Sequence, residues 1–397
     1  MEKWTTGKMS DLIEFNPKER ISKGENAKKI AMDKLKPFER DIEGYEIAQF
    51  KGGSKFRNGD TLLARITPCL ENGKTAQVNV LEDNEVGFGS TEFIVLRAKP
   101  GVSDKDYIYY LAISPLAREQ AIQSMVGSSG RQRVQQGVLN DLDICIHPLS
   151  EQIEIGRTLK VLDDKIAINT KINHHLEQMA QAIFRYWFIE RMSQSYDYQS
   201  DLIFRSLFDF ANYINGTSFK KDEYSDTGIP IIKIAELKNG ITNSTQRFSG
   251  EKDEKYYIKN KDILFSWSGN PETSIDIFLW ASGEAILNQH TFIVKTNDGT
   301  PWFVYHLLKH FKKEFSHIAS NKQTTGLGHV TVSDLRRLQF PYDLELMKAF
   351  EQIVSPIMET YYRNLCENQQ LAFLRDSLLP KLMSGELSVS DIQAAKC

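Results

Sequence analysis

The chain has 397 residues, 41% of them apolar, and a formal net charge of −3. That is enough core-forming material for two or more domains, and it excludes both a disordered polymer and a polycation that binds nucleic acid through bulk charge. Residues 1 to 145 carry 21 Lys plus Arg against 21 Asp plus Glu, so any nucleic-acid contact has to come from local placement of charge.

Residues 1–148 read as a mixed α/β domain. Strand-like runs, Thr61 to Ile66 and Phe93 to Leu96, are separated by polar turns such as Asn58-Gly59-Asp60 and Glu71-Asn72-Gly73. The pattern then predicts one amphipathic helix over Asp104 to Ser124, with Tyr107, Tyr110, Leu111 and Ile122 on its inner face. A polar loop, Gly127 to Arg133, leads to a strand in which Leu142, Ile144 and Ile146 alternate with Asp141, Asp143 and Cys145. No apolar run is long enough to span a membrane, and the N-terminus lacks the apolar stretch of a secretory signal. Four dispersed cysteines without a CxxC pair fit a reducing compartment, so a cytoplasmic location is expected.

Residues 149–193 are dominated by a long helix. Leu159, Leu162, Ile166, Asn169, Asn173, Leu176, Ala180, Ile183 and Trp187 keep a heptad-like spacing through four repeats. Ser150 is a candidate N-cap, with Glu151 placed to complement the helix dipole. At 1.5 Å per residue such a helix is roughly 55 Å long, and a narrow apolar seam of that length needs a partner helix.

The same order of elements then returns. Asn58-Gly59-Asp60 lines up with Asn260-Lys261-Asp262 at an offset of 202, and Phe93-Ile94-Val95 with Phe292-Ile293-Val294 at 199. In the helix the offset settles at 195, matching Asn169, Asn173 and Leu176 with Asn364, Asn368 and Leu371. Residues 194–344 are thus a second globular copy, 345–390 a second long helix and 391–397 a tail. Its seam is read through Asn364, Asn368, Leu371, Leu374 and Leu378, with a kink or restart at Ser355-Pro356 and an end at Pro380 and Gly385. The expected fold class is α+β: two similar mixed α/β domains separated by two long helices that pair as an antiparallel coiled coil with pseudo-two-fold symmetry. The seam asparagines either hydrogen-bond across it and fix its register or face solvent.

The block Pro148-Leu149-Ser150-Glu151-Gln152-Ile153, followed by Leu162-Asp163-Asp164-Lys165-Ile166, Asn169, Ile172, Leu176-Glu177, Met179-Ala180-Gln181, Phe184 and Trp187-Phe188, resembles the central conserved region of type I restriction-modification specificity subunits. Leu374 to Glu386, LRDSLLPKLMSGE, resembles that family's distal conserved region. The resemblance implies two target-recognition domains, each reading half of a bipartite double-stranded DNA site, and helices that set the spacer and dock two methyltransferase subunits. It implies no catalysis and no cofactor in this chain. S-adenosylmethionine, ATP and Mg would serve the methyltransferase and motor-nuclease partner subunits.

An enzyme reading finds little support in the residues. There is no GxxxxGK[ST] phosphate loop. Asn16-Pro17-Lys18 and Asn270-Pro271-Glu272 lack the Pro-Pro-aromatic continuation that an amino-methyltransferase uses to hold its base. Gly87-Phe88-Gly89 and Gly326-Leu327-Gly328 read as turns, and Asp60 and Asp262 as turn-capping carboxylates. No metal site is expected. The competing readings are a self-contained DNA methyltransferase or nuclease, and a coiled-coil adaptor that binds no DNA.

Base edges are read chiefly by Arg, Lys, Asn and Gln. In the first copy the candidates are Arg131, Gln132 and Arg133 in the glycine-flanked loop, and Arg65, Thr67 and Lys74 after the repeated strand, with Lys55 and Arg57 for phosphates. In the second copy they are Lys322, Gln323, Thr324 and His329, with Ser266, Trp267 and Asn270.

Overall fold

The computed structural model describes residues 4–128, 130–191, 203–242, 244–323 and 327–394. It divides into two units, residues 1–166 with 370–397 and residues 167–369. Four helices organise them: α1 (Lys105–Ile113), α2 (Leu149–Arg185), α3 (Pro301–His310) and α4 (Leu344–Ser384). Each unit therefore combines one globular domain, the first half of its own long helix and the last half of the other copy's.

The two domains share one topology. In unit 1 a four-stranded sheet runs in the order Ile13–Phe15, Phe93–Ala98, Thr61–Ala64, Thr75–Gln77, and a second in the order Glu46–Gln49, Asn26–Ile30, Gly87–Gly89, Lys55–Phe56. Unit 2 repeats both: Ala211–Asn215, Thr291–Thr296, Ile263–Ser266, Asp276–Leu279, and Arg247–Phe248, Ile229–Ile232, Ala285–Leu287, Tyr257–Ile258. The second sheet holds one parallel pair in each copy, Lys29 facing Phe88 and Ile231 facing Ile286. Gly87-Phe88-Gly89 is thus a buried strand rather than a turn. A Cβ on Gly89 would lie 2.4 Å from the Ile30 carbonyl oxygen, so this strand can approach its neighbour only as glycine.

Asp60 and Asp262 do cap turns, accepting from Arg57 N at 2.7 Å and Lys259 N at 2.9 Å. Each also takes a cation from the neighbouring strand, Arg97 on Asp60 and Lys295 on Asp262. The predicted helix over Asp104 to Ser124 is two helices, because Ser114 caps a new one that starts at Pro115, where the missing N–H costs nothing.

The two copies solve one problem differently. The first N–H groups of α1 are satisfied by Asp104, which accepts from Asp106 N and Tyr107 N at 3.0 Å. Gly156 of α2 lies against this cap, and a Cβ there would be 2.9 Å from Asp104 Oδ1. In α3 the residue before Pro301 makes no side-chain cap. Instead Glu351 of α4 accepts from Trp302 N at 3.2 Å and Phe303 N at 3.0 Å. The offset of 195 places Glu351 opposite Gly156, so the capping carboxylate sits on the long helix in one copy and on the domain in the other.

Helix pairing is antiparallel within each unit. In unit 1, Ile155 and Leu159 of α2 share a core with Leu379 and Leu382 of α4, with Leu63, Ile94 and Leu96 of the sheet, and with Tyr107 and Leu111 of α1. Between them Asp163 Oδ1 accepts from Arg375 Nη1 at 2.7 Å, and Asp163 Oδ2 accepts from the Tyr110 hydroxyl at 2.7 Å. In unit 2, Asn169 Nδ2 donates to Glu367 Oε2 at 2.8 Å and Asn368 Oδ1 at 2.9 Å. Asn173 Nδ2 donates to the Tyr361 carbonyl at 3.0 Å, and its Oδ1 accepts from Asn364 Nδ2 at 2.8 Å. With Asn169 1% and Asn173 5% exposed, these amides are seam residues bonded across it.

Away from the asparagines the buried stripe differs from the predicted one. Ile155, Leu159 and Asp163, and Ala180, Phe184 and Phe188, follow steps of four, the drift expected of straight helices that also face a globular core. Leu162, Ile166, Leu176, Ile183, Leu371 and Leu378 are only half-buried. Leu374 is 45% exposed, and its neighbour Arg375 holds the inward position. α4 starts at Leu344 and runs unbroken through Pro356 and Pro380, so neither proline restarts or ends it; Gly385, at φ +74°, follows its last residue.

Asp163→Ala leaves the buried Arg375 guanidinium with Asp376 alone, and urea denaturation is expected to show a loss of roughly 3 kcal/mol, near the low end for a broken buried pair. Burial pushes the Glu351 carboxyl up to about 7. The folded state then holds this proton more tightly than the unfolded chain, so its contribution is full below about pH 4.5 and lost as pH rises through 7. Glu351→Gln should flatten that part of the stability profile measured by denaturation between pH 4.5 and 8.

Candidate nucleic-acid interface

In unit 1 the end of strand Thr61–Ala64 and the loop after the second short helix are stitched together. Arg65 N donates to the Glu92 carbonyl at 2.9 Å, and Val134 N to the Arg65 carbonyl at 2.8 Å. Thr67 N donates to the Gln132 carbonyl at 3.0 Å, and Gln132 N returns a bond to Thr67 Oγ1 at 2.9 Å. Two candidate groups from distant sequence, Arg65 with Thr67 and Gln132 with Arg133, thereby form one patch.

Arg133 is the most organised side chain there. Its backbone exchanges two hydrogen bonds with Val126, at 2.9 and 3.0 Å. Its Nε and Nη2 lie 2.9 and 2.7 Å from the Glu92 carboxylate oxygens. Both side chains reach solvent, 46% exposed for Arg133 and 23% for Glu92. The hydrogen bond from Arg133, helped by the charge of Arg65, holds the Glu92 carboxyl below its ordinary range, so it is an anion at neutral pH. Arg65 donates Nη2 to the Val134 carbonyl at 3.4 Å, and its buried Nε has no partner among the described residues.

Unit 2 repeats the backbone and changes the side chains. Trp267 N faces the His290 carbonyl at 3.4 Å, and Val330 N donates to the Trp267 carbonyl at 2.8 Å. Ser268–Gly269 pairs with Gly328–His329 as a short antiparallel ribbon. Trp267, His290 and His329 thus stand where Arg65, Glu92 and Arg133 stand in unit 1. The Trp267 indole donates to Asn215 Oδ1 at 3.0 Å, and its ring lies 5.8 Å from that of His290. His329 is exposed.

Several other candidates are bound to their own chain. Lys74 donates to the Met32 carbonyl at 2.9 Å and Lys55 to the Glu19 carbonyl at 3.0 Å. Arg57 is held by the Glu19 carboxylate at 2.7 and 2.8 Å. Ser266 is buried in its strand, and Asn270 Oδ1 caps a turn by accepting from Glu272 N and Thr273 N. Lys322 pairs with Asp334 at 2.5 Å. Arg131 and Gln323 are exposed, and Thr324 lies outside the described residues.

Sequence reasoning passed over Glu92, His290 and Asn215. The repeat offset of 199 sets Glu92 against Thr291; the strand register, with Ala64 opposite Phe93 and Ser266 opposite Thr291, shifts the match by one and brings His290 to the place of Glu92. Among the described residues no group of three or more His, Cys, Asp or Glu is placed to share a metal ion, and no helix is long and apolar enough to cross a membrane.

The model of the type I restriction modification DNA specificity domain matches twice, over residues 1–178 and 199–370. The type I restriction enzyme MjaIX specificity subunit of Methanocaldococcus jannaschii is 25% identical over 307 residues, 72% of this chain and 70% of the relative. The HindI specificity subunit of Haemophilus influenzae is 24% identical, with 83% of this chain and 87% of the relative covered. The crystal structure of a type I restriction-modification S subunit from M. genitalium has the same fold, with a TM-score of 0.51 at 16% identity over 96% of each chain. With both domains matched and the pairs of equivalent sheets and loops in place, the chain belongs to the type I restriction-modification DNA specificity family.

Proposed function

We propose that this chain is the DNA sequence-specificity subunit of a type I restriction-modification complex, each globular domain reading one half of a bipartite target and the long helices acting as the spacer. The observation that carries the reading is the matched pair of loop sites, in which one backbone scaffold presents Arg65, Glu92 and Arg133 in one copy and Trp267, His290 and His329 in the other. A duplicated reader needs a constant frame and variable base-contacting side chains, since phosphate contacts position a protein and base edges specify it.

Methyltransferase subunits would dock on the outer face of the helices. In unit 2 that face of α2 exposes Ile168, Ile172 and Met179, with Tyr186 just beyond, a stripe at spacings of four and seven. In unit 1 the end of α4 exposes Phe373 and Leu374. Such contiguous exposed apolar side chains on a water-facing helix suit a protein interface. Adenine methylation from S-adenosylmethionine and ATP- and Mg-dependent translocation and cleavage would belong to those partners and to motor-nuclease subunits, in the cytoplasm.

Mapping methylated adenines in cells that express the chain with its methyltransferase subunits should return one bipartite motif; methylation without a split motif overturns the reading. Met179→Glu, which puts a charge in the exposed stripe, should abolish co-purification of the methyltransferase subunits while leaving the thermal unfolding of the chain within a few degrees of wild type.

A further inference from the structure

Arg133 engages Glu92 through Nε and Nη2, at 2.9 and 2.7 Å. That side-on pairing leaves the Nη1 edge of the guanidinium turned away from the carboxylate. The backbone of Arg133 is fixed by Val126 on one side and by the Val134–Arg65 bond next to it, so little side-chain or loop ordering remains to be done on binding. An arginine neutralised by a carboxylate is a poor phosphate clamp, because the carboxylate repels the phosphate. A base pair offers a different match: the guanine edge has two acceptors, and the cytosine amino group donates to a carboxylate.

We propose that Arg133 and Glu92 together read one G·C base pair of the first half-site, with Arg133 on guanine O6 and N7 and Glu92 accepting from the cytosine amino group. Glu92 is also the positioning residue that sets the direction of the Arg133 fork. In the second half-site the corresponding place belongs to His329 and His290, which cannot form that pair of contacts, so the two half-sites differ in the base pair read there. The proposal rests on the chain being a DNA specificity subunit.

The test is binding of the full chain, assembled with its methyltransferase subunits, to duplexes in which each base pair of the mapped motif is changed in turn. Arg133→Ala should weaken the native duplex by about 5- to 150-fold, the range of one bidentate base contact, and should remove discrimination at a single G·C pair. Penalties at every other position and the salt slope should stay as in wild type. Arg133→Lys keeps the charge without the fork and should lose discrimination at the same pair, and Glu92→Gln should weaken it there. Equal weakening on all sequences with a shallower salt slope would make Arg133 a phosphate contact and overturn the proposal. So would full discrimination in folded Arg133→Lys and Glu92→Gln proteins while the wild type reads a bipartite site. A wild-type complex with no split preference would instead overturn the specificity-subunit reading itself.

Discussion

A buried amide has to be hydrogen-bonded, and that requirement decides how far one long helix can slide along the other within unit 2. Asn169 and Asn173 of α2 meet Glu367, Asn368, Asn364 and the Tyr361 carbonyl of α4. A shift by one turn would leave these groups facing apolar or mismatched neighbours, at about 1–3 kcal/mol for each unsatisfied group. In unit 1 the same duty falls to a charge pair, Asp163 with Arg375, and to the Tyr110 hydroxyl. Apolar residues at these places would give attraction without register. Polar ones cost some stability and give one alignment.

Duplication explains the topology but not the polar details, which each copy has settled in its own way. Tyr110 and Tyr305 are equivalent buried tyrosines on α1 and α3, and each donates its hydroxyl to a carboxylate on α2 within its unit, Asp163 in one and Glu177 in the other. Asp104 and Glu351 perform one capping task from different elements, and Gly156 is the consequence: where the domain supplies its own cap, the long helix must give up its side chain. Apolar positions tolerate divergence of shape, whereas each buried donor demands an acceptor from somewhere nearby. That is why the copies keep strand order and helix offset while their polar contacts diverge.

Much of this was legible in the sequence. The long helices, the constant offset of 195 and the seam asparagines follow from spacing alone, because a helix repeats its geometry every few residues. Leu374 misled because heptad counting assumes a supercoiled seam throughout, whereas the ends of both helices face globular cores and drift by one position, bringing Arg375 inward. Pro356 does not restart the helix and Pro380 does not end it: each removes one backbone hydrogen bond and crowds the preceding turn, a cost that burial of the neighbouring Val354, Met358, Leu379 and Leu382 offsets. The fold brings two of the candidate loop groups together, Arg65 with Thr67 and Gln132 with Arg133. Nothing in the sequence around Lys55, Lys74 or Lys322 announces that each meets an acceptor of its own chain, since those partners, Glu19, Met32 and Asp334, arrive through the fold.

The near-neutral charge of the chain fits the arrangement at the loops. Among the candidate contact residues Arg57, Arg133 and Lys322 are each matched to a carboxylate, while Arg131 is exposed. Pairing lowers nonspecific attraction to DNA and fixes each side chain in a single direction. On the proposed reading both effects favour discrimination over raw affinity, because a correct base edge would replace or share a good partner while a wrong one offers nothing in exchange. In unit 2 aromatic and imidazole groups do the same without a charge pair, Trp267 being held by Asn215 and the ring of His290. The common element is a rigid backbone frame, and on the proposed reading the different chemistry placed on it would let two copies of one domain prefer different sequences.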